Sequence, residues 1–212
     1  MTSVTFLQQA SADQLRPAAP ADLTITRVFP AEPTFNARMY REIGADWNWG
    51  DRLNWSDGRW ASYCSDPCLS TLRATVDGEI AGFTELRMSP CDPDIDPLAA
   101  GSDDGVDIEI VYFGMLPAFA GRGLGGWFLS EVCRIAWNVP GCRRVWLHTC
   151  DDDSPAAIPN YLARGFVEYA RADTGCTACS AWGDVTQSAP GHPRSEMIRR
   201  ANSSDDCGFW PV

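Results

Sequence analysis

Residues 106–137 constrain the fold more than any other stretch of the chain. They read VDIEIVYFGML, then Pro117, then AFAGRGLGG, then WFLSEVCRIAW. The first run is β-branched and aromatic and predicts the strongest strand in the sequence. From there back into the glycines Leu124, Trp127, Phe128, Val132, Ile135 and Ala136 fall at helical spacing, so a helix opens inside the glycines. A strand that enters a helix through Gly121, Gly123, Gly125 and Gly126 presents bare backbone N–H groups at a helix N-terminus. The aligned peptide dipoles favour an anion there. Arg122 supplies a guanidinium that can pair with a second phosphoryl group. The stretch therefore predicts a phosphate-bearing ligand.

The flanking segments supply the rest of a mixed α/β domain. LTITRVF (23–29) alternates and predicts a strand, and residues 34–43 a helix. An aromatic loop (46–55) leads to a short helix capped at Ser56. Two alternating runs flank Asp77-Gly78, a favoured two-residue hairpin turn. Residues 88–105, rich in Asp and Pro, predict a loop. After the glycine helix come a strand (143–149), a short helix ended by Gly165, a strand (166–171) and a last strand near 177–185. Residues 1–20 read as a mobile leader, 21–187 as the domain and 188–212 as a polar tail. The order β-α-α-β-β-loop-β-α-β-α-β-β describes one α/β (α+β mixed) domain, not a run of βαβ units.

Composition narrows the ligand. The formal net charge is −11, and all 17 basic residues are Arg. Such a chain lacks the basic stripe of a nucleic-acid binder, and without Lys it cannot form an ATP-binding P-loop. Gly121, Gly123 and Gly126 do spell GxGxxG. A dinucleotide fold, however, places its first glycine at the strand end, whereas LPAFA (116–120) intervenes here. No apolar run approaches a membrane span, and no secretory leader is legible. With nine Cys and two His, the expectation is reduced, incidental thiols in the cytoplasm and no metal site. A homodimer is compatible with the sequence.

The glycine segment Ala120-Gly121-Arg122-Gly123-Leu124-Gly125 resembles the pyrophosphate-binding motif [QR]-x-x-G-x-[GA] of the GNAT superfamily of acyl-CoA N-acyltransferases, with Gly123 and Gly125 in register. Its first position, usually Gln or Arg, is Ala120 here. A second motif, AIPNYLARGF (157–166), resembles the superfamily's A-[LI]-x-x-Y-x-x-x-G-F at the appropriate spacing. The resemblance implies a central, mostly antiparallel sheet of six to seven strands flanked by about four helices. It implies acetyl-CoA as co-substrate and a primary amine of a small molecule or amino acid as acceptor. A protein or peptide amine, and a CoA-binding module without turnover, are the alternatives.

By the same resemblance, Gly114 and Met115 offer main-chain groups to the thioester and pantetheine. Gly121, Arg122, Gly123, Leu124, Gly125 and Gly126 hold the pyrophosphate, and Ser154 and Asn160 are further cofactor contacts. Tyr161 is the acid for the departing thiolate, its phenol having an ordinary pKa of about 10. Two residues compete as the base. Glu109 stands in mid-strand between Ile108 and Ile110, where burial would raise its pKa. His148 lies on the following strand. Trp47, Trp49 and Trp55, with Asp46 and Asp51, form a candidate acceptor wall for a cation; packing over the core is the plainer reading of the same rings.

Overall fold

The computed structural model describes residues 2–47, 49–90 and 105–174. Their strands form one seven-stranded sheet in the order β2-β3-β4-β5-β6-β1-β7. The strands are β1 (Thr2–Gln9), β2 (Thr24–Arg27), β3 (Leu69–Val76), β4 (Glu79–Pro90), β5 (Val106–Met115), β6 (Cys142–Cys150) and β7 (Val167–Thr174). The helices are α1 (Pro33–Gly44), α2 (Asp57–Cys64), α3 (Leu124–Trp137) and α4 (Ala157–Ala163). All neighbours are antiparallel except β5 and β6. That parallel pair is forced by the α3 crossover, since a helix between adjacent strands returns the chain in the same direction. No described helix is long and apolar enough to cross a membrane.

Local signals account for most element ends. Asp77 and Gly78 have φ of 50° and 82°, the two positive values that match a hairpin turn to the twist of its strands. Pro33 stands at the start of α1, where its missing N–H costs nothing. Ser56 caps α2, its hydroxyl accepting from the N–H of Arg59 at 3.2 Å. Gly165 ends the α4 segment at φ 91°, and a Cβ there would lie 1.8 Å from the Gln14 carbonyl oxygen. We expect Gly165→Ala to lower stability by about 2–3 kcal/mol, from backbone strain plus the clash; the denaturant midpoint measures it.

Two layers pack on the sheet. On one face α3 and α4 bury Phe128, Leu129, Val132, Ala136 and Tyr161 against Leu7, Ile108, Ile110, Val145 and Leu147. On the other, α1 and α2 set Phe35, Met39, Ile43 and Trp60 against the Phe83 and Tyr112 side. A bulge on β5 joins the two patterns: Leu86 pairs with Ile110 and Glu85 with Tyr112, leaving Val111 extra. Phe113 and Met115 beyond the bulge consequently rejoin the α3 core, while Tyr112 turns to the other face.

The expected mobile leader at 1–20 is corrected. Residues Thr2–Gln9 form β1, an interior strand between β6 and β7. The connection onward is pinned by Arg16 N–H donating to the Arg164 carbonyl at 3.1 Å and Ala18 N–H to Ser130 Oγ at 2.9 Å. The strand was hard to read because three of its buried positions, Thr5, Gln8 and Gln9, are polar. Gln9 is fully buried, its Oε1 accepting from Trp137 Nε1 and its Nε2 donating to the Arg164 carbonyl, each at 2.8 Å. The predicted strand near 177–185, the polar tail and most of the 88–105 loop lie outside the described residues.

Candidate active site

The glycine turn takes the shape its sequence demands. Gly121 and Gly123 have φ of 74° and 78° with open space where a Cβ would sit. Conformation, not crowding, requires glycine there. Gly123 is the N-cap of α3, and no side chain caps the helix. The first four N–H groups of a helix lack intrahelical partners, so Leu124, Gly125 and Gly126 present theirs outward. Arg122 is exposed, its guanidinium over the Phe119 ring at 5.2 Å.

A residue that the motif reading passed over completes this corner. Arg164 reaches back from the end of α4 until its Nη1 lies against Gly126, where a Cβ would come within 2.2 Å. Asn160 links the same elements, its amide donating to the Gly125 carbonyl at 3.5 Å and its Oδ1 accepting from Arg164 at 3.4 Å. Ser154 sits in the turn that starts α4 and accepts from the Ala156 N–H at 3.3 Å. The first turn of α3 holds no acidic residue. A cation at the positive end of a helix is unfavourable by itself and favourable once an anion stands between the two. The available hint was an Arg four residues after Asn160, directly before Gly165.

Behind the glycine turn the sheet opens. β5 and β6 pair only from Val106↔Cys142 to Glu109↔Trp146. Past that point β6 continues along β1, and β5 continues along β4 as far as Met115. Gly114 and Met115 lie at the open end, with no β6 partner among the described residues. Gly114 is close-packed: a Cβ would stand 2.4 Å from Cγ2 of Ile43. Tyr161 closes the core behind this opening, its ring 6.5 Å from Phe113 and 6.0 Å from Phe166. Burial, reinforced by Asp153 and Cys133, pushes its phenol well above the ordinary range, so it holds its proton.

The two rival bases are neighbours. Glu109 faces away from the α3 core that takes Ile108 and Ile110, and its Oε1 is 3.7 Å from His148 Nδ1. The pair stands where β5 and β6 begin to part. Arg87, unremarked in the sequence, is the residue opposite Glu109 on β4.

The tryptophans pack within the chain. Trp49 lies 4.6 Å from Tyr112 and 5.7 Å from Tyr40, and Trp55 4.9 Å from Trp60. Trp47 packs on the Phe35–Met39 cluster. The cation over Trp55 is internal: Arg52 at 4.7 Å and Arg59 at 4.4 Å. Asp51 accepts from the Tyr40 hydroxyl at 2.7 Å and the Tyr112 hydroxyl at 2.8 Å. Burial pushes the Cys64 and Cys142 thiols up to about 12 and that of Cys133 higher still, which suits packing rather than nucleophilic attack. Among the described residues no group of three or more His, Cys, Asp or Glu could hold a metal ion, and Cys176 and Cys179 lie outside them.

The model of the acetyltransferase (GNAT) family matches residues 35–166. Solved structures share the fold. A functionally unknown conserved protein from Staphylococcus epidermidis is 20% identical with a TM-score of 0.55, over 81% of this chain and 60% of that one. A GCN5-related N-acetyltransferase from Sphaerobacter thermophilus is 16% identical at 0.55, over 80% and 49%. An aminoglycoside acetyltransferase from an uncultured soil metagenomic sample is 14% identical at 0.54, over 73% and 99%. The chain thus spans 60% and 49% of the lengths of the first two. No curated protein matches it in sequence.

Proposed function

This chain belongs to the acetyltransferase (GNAT) family, and from that premise we propose that it transfers an acetyl group from acetyl-CoA to a primary amine of a small molecule or amino acid. One observation carries the reading: an uncapped helix N-terminus after two positive-φ glycines, with the Arg164 guanidinium set against it and the gap between β5 and β6 leading inward. These residues fit a pyrophosphate followed by a narrow arm. The fold shared with an aminoglycoside acetyltransferase supports a small-molecule acceptor.

Bound acetyl-CoA supplies an activated thioester carbonyl. The N–H groups of Leu124, Gly125 and Gly126, with Arg122 and Arg164, hold the pyrophosphate charge. Main-chain groups of Gly114 and Met115 orient the arm and polarise the carbonyl. Glu109 takes the ammonium proton, and His148 beside it completes the basic pair. The freed amine nitrogen bonds to the acetyl carbon as the carbon–sulfur bond breaks, and the proton it then sheds to become the amide passes through solvent to restore the Tyr161 phenol. Tyr161 gives its proton to the departing sulfur, and the chain forms no covalent bond to the acetyl group.

Calorimetric titration with acetyl-CoA tests the site, and mass spectrometry of acetylated amines tests the transfer. We expect one-to-one binding, weakened about tenfold to a hundredfold in Arg164→Ala, the scale of a lost charge-assisted contact. Equal affinity in the two proteins would remove Arg164 from the site, and absent binding would end the transferase reading.

A further inference from the structure

We infer that Arg87 is the counter-ion for a carboxylate on the acceptor, which makes the acceptor an α-amino acid; this rests on the transferase reading. Arg87 is 5% exposed, and its Nε and Nη2 have no hydrogen-bond partner among the described residues. Arg87 makes no ion pair among the described residues. The Tyr63 ring lies 5.1 Å from its guanidinium carbon.

The nearby carboxylates are engaged elsewhere. Glu85, two residues along the same strand, accepts from Asn36 Nδ2 at 2.7 Å, Arg52 Nη1 at 2.9 Å and the Tyr63 hydroxyl at 2.6 Å. Glu109, opposite on β5, has its Oε1 3.7 Å from His148. The contrast with Arg52 is direct: both guanidiniums are buried, but among the described residues Arg52 has Glu85 and Arg87 has no anion. A buried charge without a partner is costly, and the cost is relieved by an anion that arrives with a ligand.

Position selects which ligand. Arg87 and Glu109 are cross-strand partners at the point where β5 and β6 part. Adjacent strands lie about 4.8 Å apart. In an α-amino acid the nitrogen is two bonds from the carboxylate carbon, so a carboxylate on the Arg87 fork brings the amine to the Glu109–His148 pair. An amine without the carboxylate leaves the guanidinium unpaired and loses this anchor.

The test compares each common L-α-amino acid with its decarboxylated amine as acceptor, phenylalanine with phenethylamine for example. With the wild-type protein and acetyl-CoA we expect the accepted amino acid to exceed its amine at least tenfold in kcat/KM. Arg87→Gln should lower kcat/KM for the acid at least tenfold more than for the amine, mainly through KM, and Arg87→Lys should restore part of the loss. The proposal is overturned if the wild-type protein takes the amine as readily as the acid. It is equally overturned if Arg87→Gln weakens both alike, as a water on Arg87 would predict. Should Arg87→Gln fail to fold, the wild-type comparison alone decides. Failure of the transferase reading shows separately as absent acetyl-CoA binding. Arg87 is then read by calorimetric titration of the amino acids into both proteins: binding that depends on Arg87 supports the proposal, and binding that does not, or no binding, overturns it.

Discussion

Replacing Arg52 by Met is expected to cost about 3–5 kcal/mol of folding stability, the range for removing one member of a buried ion pair. Arg52 is 1% exposed, and its Nη1 lies 2.9 Å from Oε2 of a fully buried Glu85. The rings of Tyr63, Tyr112 and Trp55 lie 4.2, 4.5 and 4.7 Å from its guanidinium carbon. Among the described residues the truncation leaves the Glu85 carboxylate with the Asn36 amide and Tyr63 hydroxyl as donors. Chemical denaturation of Arg52→Met, Glu85→Gln and the double variant measures the effect. The double variant should recover part of the loss, because it removes the stranded charge. Strictly additive losses would mean that the two residues are not coupled.

Tyr161→Phe should lower kcat by roughly 10²–10⁴, the contribution of a placed general acid. The acetyl-CoA affinity should stay near wild type, because Phe keeps the ring packing against Phe113 and Phe166. The phenol's pKa is raised by burial, so the group remains protonated throughout the neutral range. The deficit should therefore be uniform between about pH 6 and 9. An unchanged kcat would reduce Tyr161 to a packing residue and leave protonation of the sulfur to water.

Much of the fold was legible because its signals are local. The φ values of Asp77, Gly78, Gly121, Gly123 and Gly165 follow from residues that tolerate them. The periodicities of β5 and α3 are written in consecutive side chains. β1 escaped because Thr5 and Gln9 are buried through partners more than a hundred residues away along the chain. The tryptophans of the aromatic loop read as a ligand wall from composition, since nothing local reveals that Arg52 folds back over Trp55. Arg164 was hidden for a similar reason, its role depending on how α4 docks beside Gly126.

The sequence by itself determined the element order, the hairpin turn and a glycine turn opening a helix, because each is fixed by backbone preferences over a few adjacent residues. Tertiary structure alone decided which strands neighbour one another, where β5 and β6 separate, that Glu109 and His148 meet, and that among the described residues Arg87 is buried without an anion while Arg52 has one. Those outcomes depend on register and on side chains from distant elements competing for the same buried space. No periodicity along one strand can encode that competition.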